Sequence, residues 1–221
     1  PDLEAGGGGG VNGETRTLVD AAVGVGIAET PTALSALKKP GSAAVIWRRQ
    51  TPAEVQGWLD ALAPEVLPRG RLILRPGAVA HAVAQLCDMA GTPAGPERAW
   101  LEADIGGLAE HFAALLEAPY LRLRLDAVST TSCPRFHIDA VLARLVCTYR
   151  GQGTQYGISR DGEEPRRVFT VATGAPILLR GTLWPADPPS GLLHRSPPTE
   201  GTGETRLVLV LDPVFDPGEE M

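Results

Sequence analysis

The sequence predicts an α+β protein in which helices come first and a β-sandwich or jelly roll follows. Three observations carry this. Apolar residues recur at helical spacing in the first half, at Val79, Val83, Leu86 and Met89 and again between Glu97 and Glu117. From Tyr120 the period becomes two, with Leu121, Leu123 and Leu125 alternating against Arg122, Arg124 and Asp126, as a half-buried strand requires. Short aliphatic runs then follow one another across glycine- and proline-containing turns. No helical pattern intervenes, which argues against a doubly wound parallel sheet.

Residues 1–15 are expected to be disordered, because the glycine run has high backbone entropy and nothing to bury. Residues 16–119 are expected to form a mainly helical part. Within it Ala43–Trp47 reads as a short strand. Thr51-Pro52-Ala53-Glu54 then places a capping hydroxyl, a first-turn proline and a third-position glutamate in helix-starting order, so a helix is predicted over 52–63. Val79–Ala90 and Glu97–Glu117 are two further helices, the second open to interruption at Gly106-Gly107. Residues 120–212 are assigned to the jelly roll, with strands from Tyr120 and at Val141–Tyr149, Val168–Ala172, Ile177–Leu179 and Arg206–Leu211. The proline-rich segment from Pro185 to Pro198 is expected to be largely non-helical and to form a lid or rim loop around His194. Residues 213–221 read as an acidic tail.

Composition narrows the function classes. A chain of 221 residues with 43% hydrophobic content supports one principal core. The formal charge of -6 and the dispersal of the 20 Lys and Arg residues argue against a nucleic-acid partner. No apolar run reaches membrane-spanning length, and the start lacks the order of a secretory signal, so neither a membrane partner nor export is expected. Cys87, Cys133 and Cys147 are an odd, sparse set that fits free thiols in a reducing cytoplasm. Oligomeric state is not legible.

The chemistry concentrates in His137-Ile138-Asp139, a later His194 and then Arg206. In an extended segment residues two apart share a face, so His137 and Asp139 can both address one ion while Ile138 packs. His194 is the sole histidine downstream of Asp139. Two imidazoles and one carboxylate form a three-sided cap on ferrous iron that leaves open positions for chemistry. Arg206 opens the apolar run Leu207–Leu211, where a guanidinium facing inward is costly without a charged, hydrogen-bonded partner. Its dull alternative is an exposed strand-start residue paired with Glu204 or Asp212.

The stretch from Cys133 to Asp212 resembles the core of the iron(II) and 2-oxoglutarate-dependent dioxygenases, which are double-stranded β-helix enzymes. The resemblance rests on His137-Ile138-Asp139, then Gly174-Ala175-Pro176-Ile177-Leu178-Leu179, then His194-Arg195-Ser196-Pro197-Pro198, then Arg206 twelve positions after His194. The context from Cys133 through Tyr149 also resembles a bacterial domain family of unknown function. The first resemblance implies Fe(II) held by His137, Asp139 and His194, with 2-oxoglutarate as cosubstrate. It implies decarboxylation to succinate coupled to hydroxylation of a small-molecule or amino-acid substrate. Arg206 would receive the distal carboxylate through its planar fork, with Arg180 as competitor. Tyr149 and Tyr156 are candidates to hydrogen-bond the keto acid, against a packing role. Two readings compete with oxygenation. Cys133 with the same three residues would make a closed zinc site without redox chemistry, and a jelly-roll binding module with a dead site needs no tight metal. His81 and His111 are expected to be ordinary helix residues.

Overall fold

The computed structural model describes residues 21–130, 133–159, 163–185 and 187–218, so the expected disordered segment 1–15 and the last tail residues lie outside the described residues. Strand β1 (Gly24–Ala28) and strand β2 (Ser42–Trp47) are followed by helix α1 (Ala53–Ala61) and strand β3 (Gly70–Leu74). Helices α2 (Val79–Ala90) and α3 (Pro96–Leu116) come next. Seven strands complete the chain: β4 (Tyr120–Val128), β5 (Ala143–Arg150), β6 (Gln155–Ile158), β7 (Phe169–Thr170), β8 (Pro176–Arg180), β9 (Leu192–Arg195) and β10 (Arg206–Val214).

A seven-stranded sheet has the order β1-β2-β8-β5-β10-β4-β3, and a three-stranded sheet the order β7-β6-β9. The ladders are antiparallel except the β1–β2 pair at one edge. From β4 onward the chain crosses repeatedly between the sheets. It leaves β4 in the large sheet, touches β9 of the small sheet through a bridge at His137, and returns as β5. It then crosses to β6 and β7, back to β8, out to β9 and back to β10. This alternation is a jelly roll, a two-sheet device that limits exposed strand edges, and the fold class is α+β.

Two apolar layers hold the molecule together, one on each face of the large sheet. On the outer face Leu121, Leu123, Leu125, Leu145, Cys147, Leu207, Leu209 and Leu211 meet the helical residues Leu59, Val83, Leu101, Ile105, Leu108 and Phe112. On the inner face Val146, Ile177, Leu179, Val208 and Val210 meet Val171 and Leu192, with Tyr156 of the small sheet packed beside them. With both faces covered, β8 and most of β10 are buried at successive residues, whereas β4 alternates because only its leucine face is capped by helices. Each fully buried leucine contributes about 1.5–3 kcal/mol.

Four expectations need correction. The boundary at residue 120 is not one between helices and sheet, since β1, β2 and β3 extend the large sheet at both edges. These short edge strands are recruited by pairing with distant partners, which local periodicity does not encode. Helix α3 runs unbroken through Gly106-Gly107. A Cβ on Gly106 would lie 2.8 Å from the Cβ of Ala80, so the glycine permits close packing of α3 on α2. Thr51 does not cap α1, whose N-cap is Pro52, and its hydroxyl is buried against Gly174 without a hydrogen-bond partner. Finally, His194 does not sit in a rim loop. Leu192–Arg195 is the prolineless run between two proline clusters, and it pairs with β6 as a strand of the small sheet.

Candidate metal centre

His137 and His194 are joined by reciprocal backbone hydrogen bonds, each N–H donating to the other's carbonyl at 3.0 Å. Directly opposed antiparallel residues project to the same face. Their rings accordingly stand 4.6 Å apart between centroids. Asp139, two residues after His137, reaches the same point. One ligand atom from each of His137, Asp139 and His194 lies within 4.8 Å of the others. His194 Nε2 is 3.0 Å from Asp139 Oδ2, and His137 Nε2 is 3.5 Å from Asp139 Oδ1.

The donor set fits a divalent cation. His137 Nδ1 lies 2.9 Å from the Arg135 carbonyl, which makes that nitrogen the N–H donor, so that in the neutral ring Nε2 carries the lone pair and faces the carboxylate. Asp139 Oδ2 is buried and has no hydrogen-bond partner, although His194 Nε2 lies 3.0 Å away. A lone pair facing a carboxylate, beside an orphaned buried oxygen, is an arrangement that a cation would satisfy. Burial pulls the His194 imidazole below its ordinary value, so it is neutral and able to ligate at pH 7. Burial alone would raise the Asp139 carboxyl; the His194 contact and the charge of Arg144 outweigh it and hold the group at about 2.

Arg144 is the residue of the candidate site that the sequence pattern did not single out. From β5 its Nη1 donates to Asp139 Oδ1, while Nε and Nη2 grip Asp212 of β10 in a bidentate pair at 2.7 Å each. One guanidinium thus bridges two carboxylates and leaves Asp139 Oδ2 for the cluster. The sequence carries a signal for it: a guanidinium inside the aliphatic run of β5, like Arg206 at the head of β10, is costly without a charged partner.

Between the sheets lies a cavity of about 250 Å³ lined by His137, His194, Arg144, Arg206, Arg124 and Val210 among others. Arg206 is 2% exposed. It donates through Nε to the Gln152 carbonyl at 2.7 Å and through Nη2 to Thr148 Oγ1 at 3.3 Å, and makes no ion pair among the described residues. Burial lowers it to about 10, only partly opposed by Glu204, so it stays charged at neutral pH while lacking a carboxylate at contact distance. A wider, open groove at Gln56, Gln152 and Glu204 holds no comparable donor cluster among the described residues.

The remaining candidates separate by strand parity. Tyr149 faces the helices, one residue out of phase with Thr148, and its hydroxyl donates to Asp104 Oδ2 at 2.6 Å beside Arg49. It is a core residue away from the cavity, because a one-residue step along a strand moves a side chain to the other face. Tyr156 stands directly across from His194 on β6, so it shares that histidine's face, and its ring stacks on Phe169 at 5.4 Å. Arg180 also points to the helical side. Its guanidinium donates to the Leu37 and Lys39 carbonyls and lies over Trp184, which removes it from competition for a ligand in the cavity. Cys133 is exposed at the cavity edge and is not a member of the three-residue donor cluster, so the closed zinc site with a fourth, thiolate ligand does not form. His81 and His111 lie on α2 and α3 as expected.

A jelly roll with two imidazoles and a carboxylate gathered at one cavity defines an α+β protein with a candidate non-haem metal centre. The chain belongs to the family described as protein of unknown function DUF1826, whose model matches residues 28–212. No curated protein matches the sequence. Among solved structures it is similar to the dioxygenase for auxin oxidation 1 of Arabidopsis thaliana in a binary complex with 2-oxoglutarate, at 14% identity over 90% of this chain and 97% of that one, with a TM-score of 0.49. The rice dioxygenase for auxin oxidation is similar at 12% identity over 87% and 83% of the two chains, with a TM-score of 0.49. A Pseudomonas putida prolyl-4-hydroxylase is similar at 13% identity over 76% and 97%, with a TM-score of 0.37. No helix among the described residues is long and apolar enough to cross a membrane.

Proposed function

We propose that this protein is a non-haem iron(II) oxygenase that couples decarboxylation of 2-oxoglutarate to hydroxylation of a small-molecule or amino-acid substrate. The observation that carries the reading is the convergence of donor atoms from His137, Asp139 and His194 within 4.8 Å of one another. Three ligands on one side of an iron leave the positions that a chelating keto acid and dioxygen require. Ferrous iron bound there supplies the oxidative chemistry, which belongs to the metal and its cosubstrate.

The chain's own residues bind, orient and exclude. Arg144 neutralises Asp139 and holds one oxygen back, so the carboxylate presents the other. The Arg135 carbonyl sets the His137 tautomer. Arg206 is the residue to receive the distal carboxylate of 2-oxoglutarate, because its buried charge has hydrogen bonds but no anion within contact. Val208 and Val210 give the cavity an apolar wall that keeps water from the reacting centre.

Anaerobic addition of ferrous iron and 2-oxoglutarate to the purified protein is expected to give a visible charge-transfer band, and His194→Ala to abolish it. Absence of the band in wild-type protein, or stoichiometric zinc that ferrous iron cannot displace, would refute the oxygenase reading.

A further inference from the structure

The cavity wall made by β3 and β4 carries positive charge that neither the metal centre nor a keto acid at Arg206 uses. Arg71 and Arg124 are direct cross-strand partners, an arrangement of like charges that is unfavourable unless an anion lies between them. Asp126, two residues along β4 and so on the same face, is the one carboxylate they share. It lies 3.2 Å from Arg124 Nε and 3.7 Å from Arg71 Nη2. Even so, Arg124 Nε is buried without a well-directed hydrogen bond. Two guanidinia against one carboxylate leave an unbalanced positive charge.

The other arginines lining the cavity are committed. Arg144 is saturated by Asp139 and Asp212, and Arg195 donates to Gln155 Oε1 while its guanidinium lies over Phe136. Around the cavity His194 and Arg206 are 7% and 2% exposed, and the side chains of His137, Arg124 and Arg71 are 34%, 35% and 72% exposed. Arg124 and Arg71, with a single carboxylate between them, therefore line the same cavity as His137 and His194.

Resting on the oxygenase reading, we infer that the substrate carries an anionic oxygen group, a carboxylate or a phosphate, which docks on Arg124 with help from Arg71. Arginine's planar fork matches either group in a bidentate pair. A neutral analogue would leave this wall's charge uncompensated, so the contact selects for acids. The same rim concentrates anions at the entrance and speeds their capture at low ionic strength.

The test uses full-length protein loaded with Co(II) and saturating 2-oxoglutarate, with inorganic phosphate and acetate as separate probes whose nuclear relaxation reports proximity to the paramagnetic ion. Enhanced relaxation of at least one probe is expected, with affinity at least tenfold weaker in Arg124→Gln and partly retained in Arg124→Lys, which keeps charge without the fork. A phosphate effect without an acetate effect assigns a phosphate group, and the reverse assigns a carboxylate. Equal relaxation in wild type and in a folded Arg124→Gln, or no relaxation of either probe, would overturn the inference. The band formed by ferrous iron and 2-oxoglutarate, measured on the same variant, separates the two failures. Its loss in Arg124→Gln would make Arg124 part of the keto-acid site and overturn the inference, whereas its absence in wild type would refute the oxygenase reading.

Discussion

Replacing Arg144 with Met removes the one cation that contacts two carboxylates inside the sandwich. Asp139 and Asp212 have side chains 14% and 6% exposed, so neither can recover its lost partner by turning to water. Removing one member of a buried ion pair costs about 3–5 kcal/mol, because a desolvated charge is left behind. For a domain of this size each kcal/mol lowers the melting temperature by roughly 2–4 °C, so a fall of about 6–20 °C at pH 7 is expected. The pH dependence has a definite sign. Asp139 is held at about 2 in the folded protein, below the ordinary value of 3.8. Its contribution to stability is therefore present above roughly pH 4 and is lost as pH falls toward 2. Without Arg144 the Asp139 carboxyl protonates at higher pH, so the difference between wild type and variant shrinks as the solution is acidified. Thermal unfolding followed by circular dichroism from pH 3.5 to 7.5 measures both effects. An Arg144→Met protein melting within about 2 °C of wild type at pH 7 would refute the view that this guanidinium is the main compensation for the two carboxylates.

Arg206→Met is expected to leave thermal stability unchanged or raise it, since it removes a buried charge with no carboxylate at contact distance, while weakening 2-oxoglutarate binding by roughly 10- to 100-fold, as loss of a charge-assisted hydrogen-bonded pair implies. Titration calorimetry with the metal-loaded protein checks the second half, and a stability loss without a binding loss would contradict it. Tyr149→Phe should do the opposite. It deprives Asp104 of a hydrogen bond in the helix-facing core and should cost about 1–3 kcal/mol in urea unfolding, with no change in metal or keto-acid binding.

Several elements are legible in the sequence. The pattern over Val79–Ala90 coincides with the observed bounds of α2, and Leu121, Leu123 and Leu125 mark the buried face of β4, because both patterns are properties of a single stretch of backbone. His137-Ile138-Asp139 was legible as a pair for the same reason, since alternation along an extended segment puts its ends on one side. Gln155–Ile158 and Gly70–Leu74 are not legible as strands. Each is four or five residues long, with a weak pattern of its own, and each is stabilised by its neighbours in the sheets.

The sequence by itself therefore determined the shift from helical to strand periodicity, the spacing of the histidine and aspartate, and the identity of the later histidine and arginine. Tertiary structure alone decided that His194 lies in a strand opposite His137, that Arg144 ties Asp139 to Asp212, and that Tyr149 and Arg180 turn to the helical side. The reason is geometric. Periodicity along a chain says which residues share a face, but the registers of β9 against His137 and of β10 against β5 say which faces meet, and those registers come from packing two sheets and three helices together.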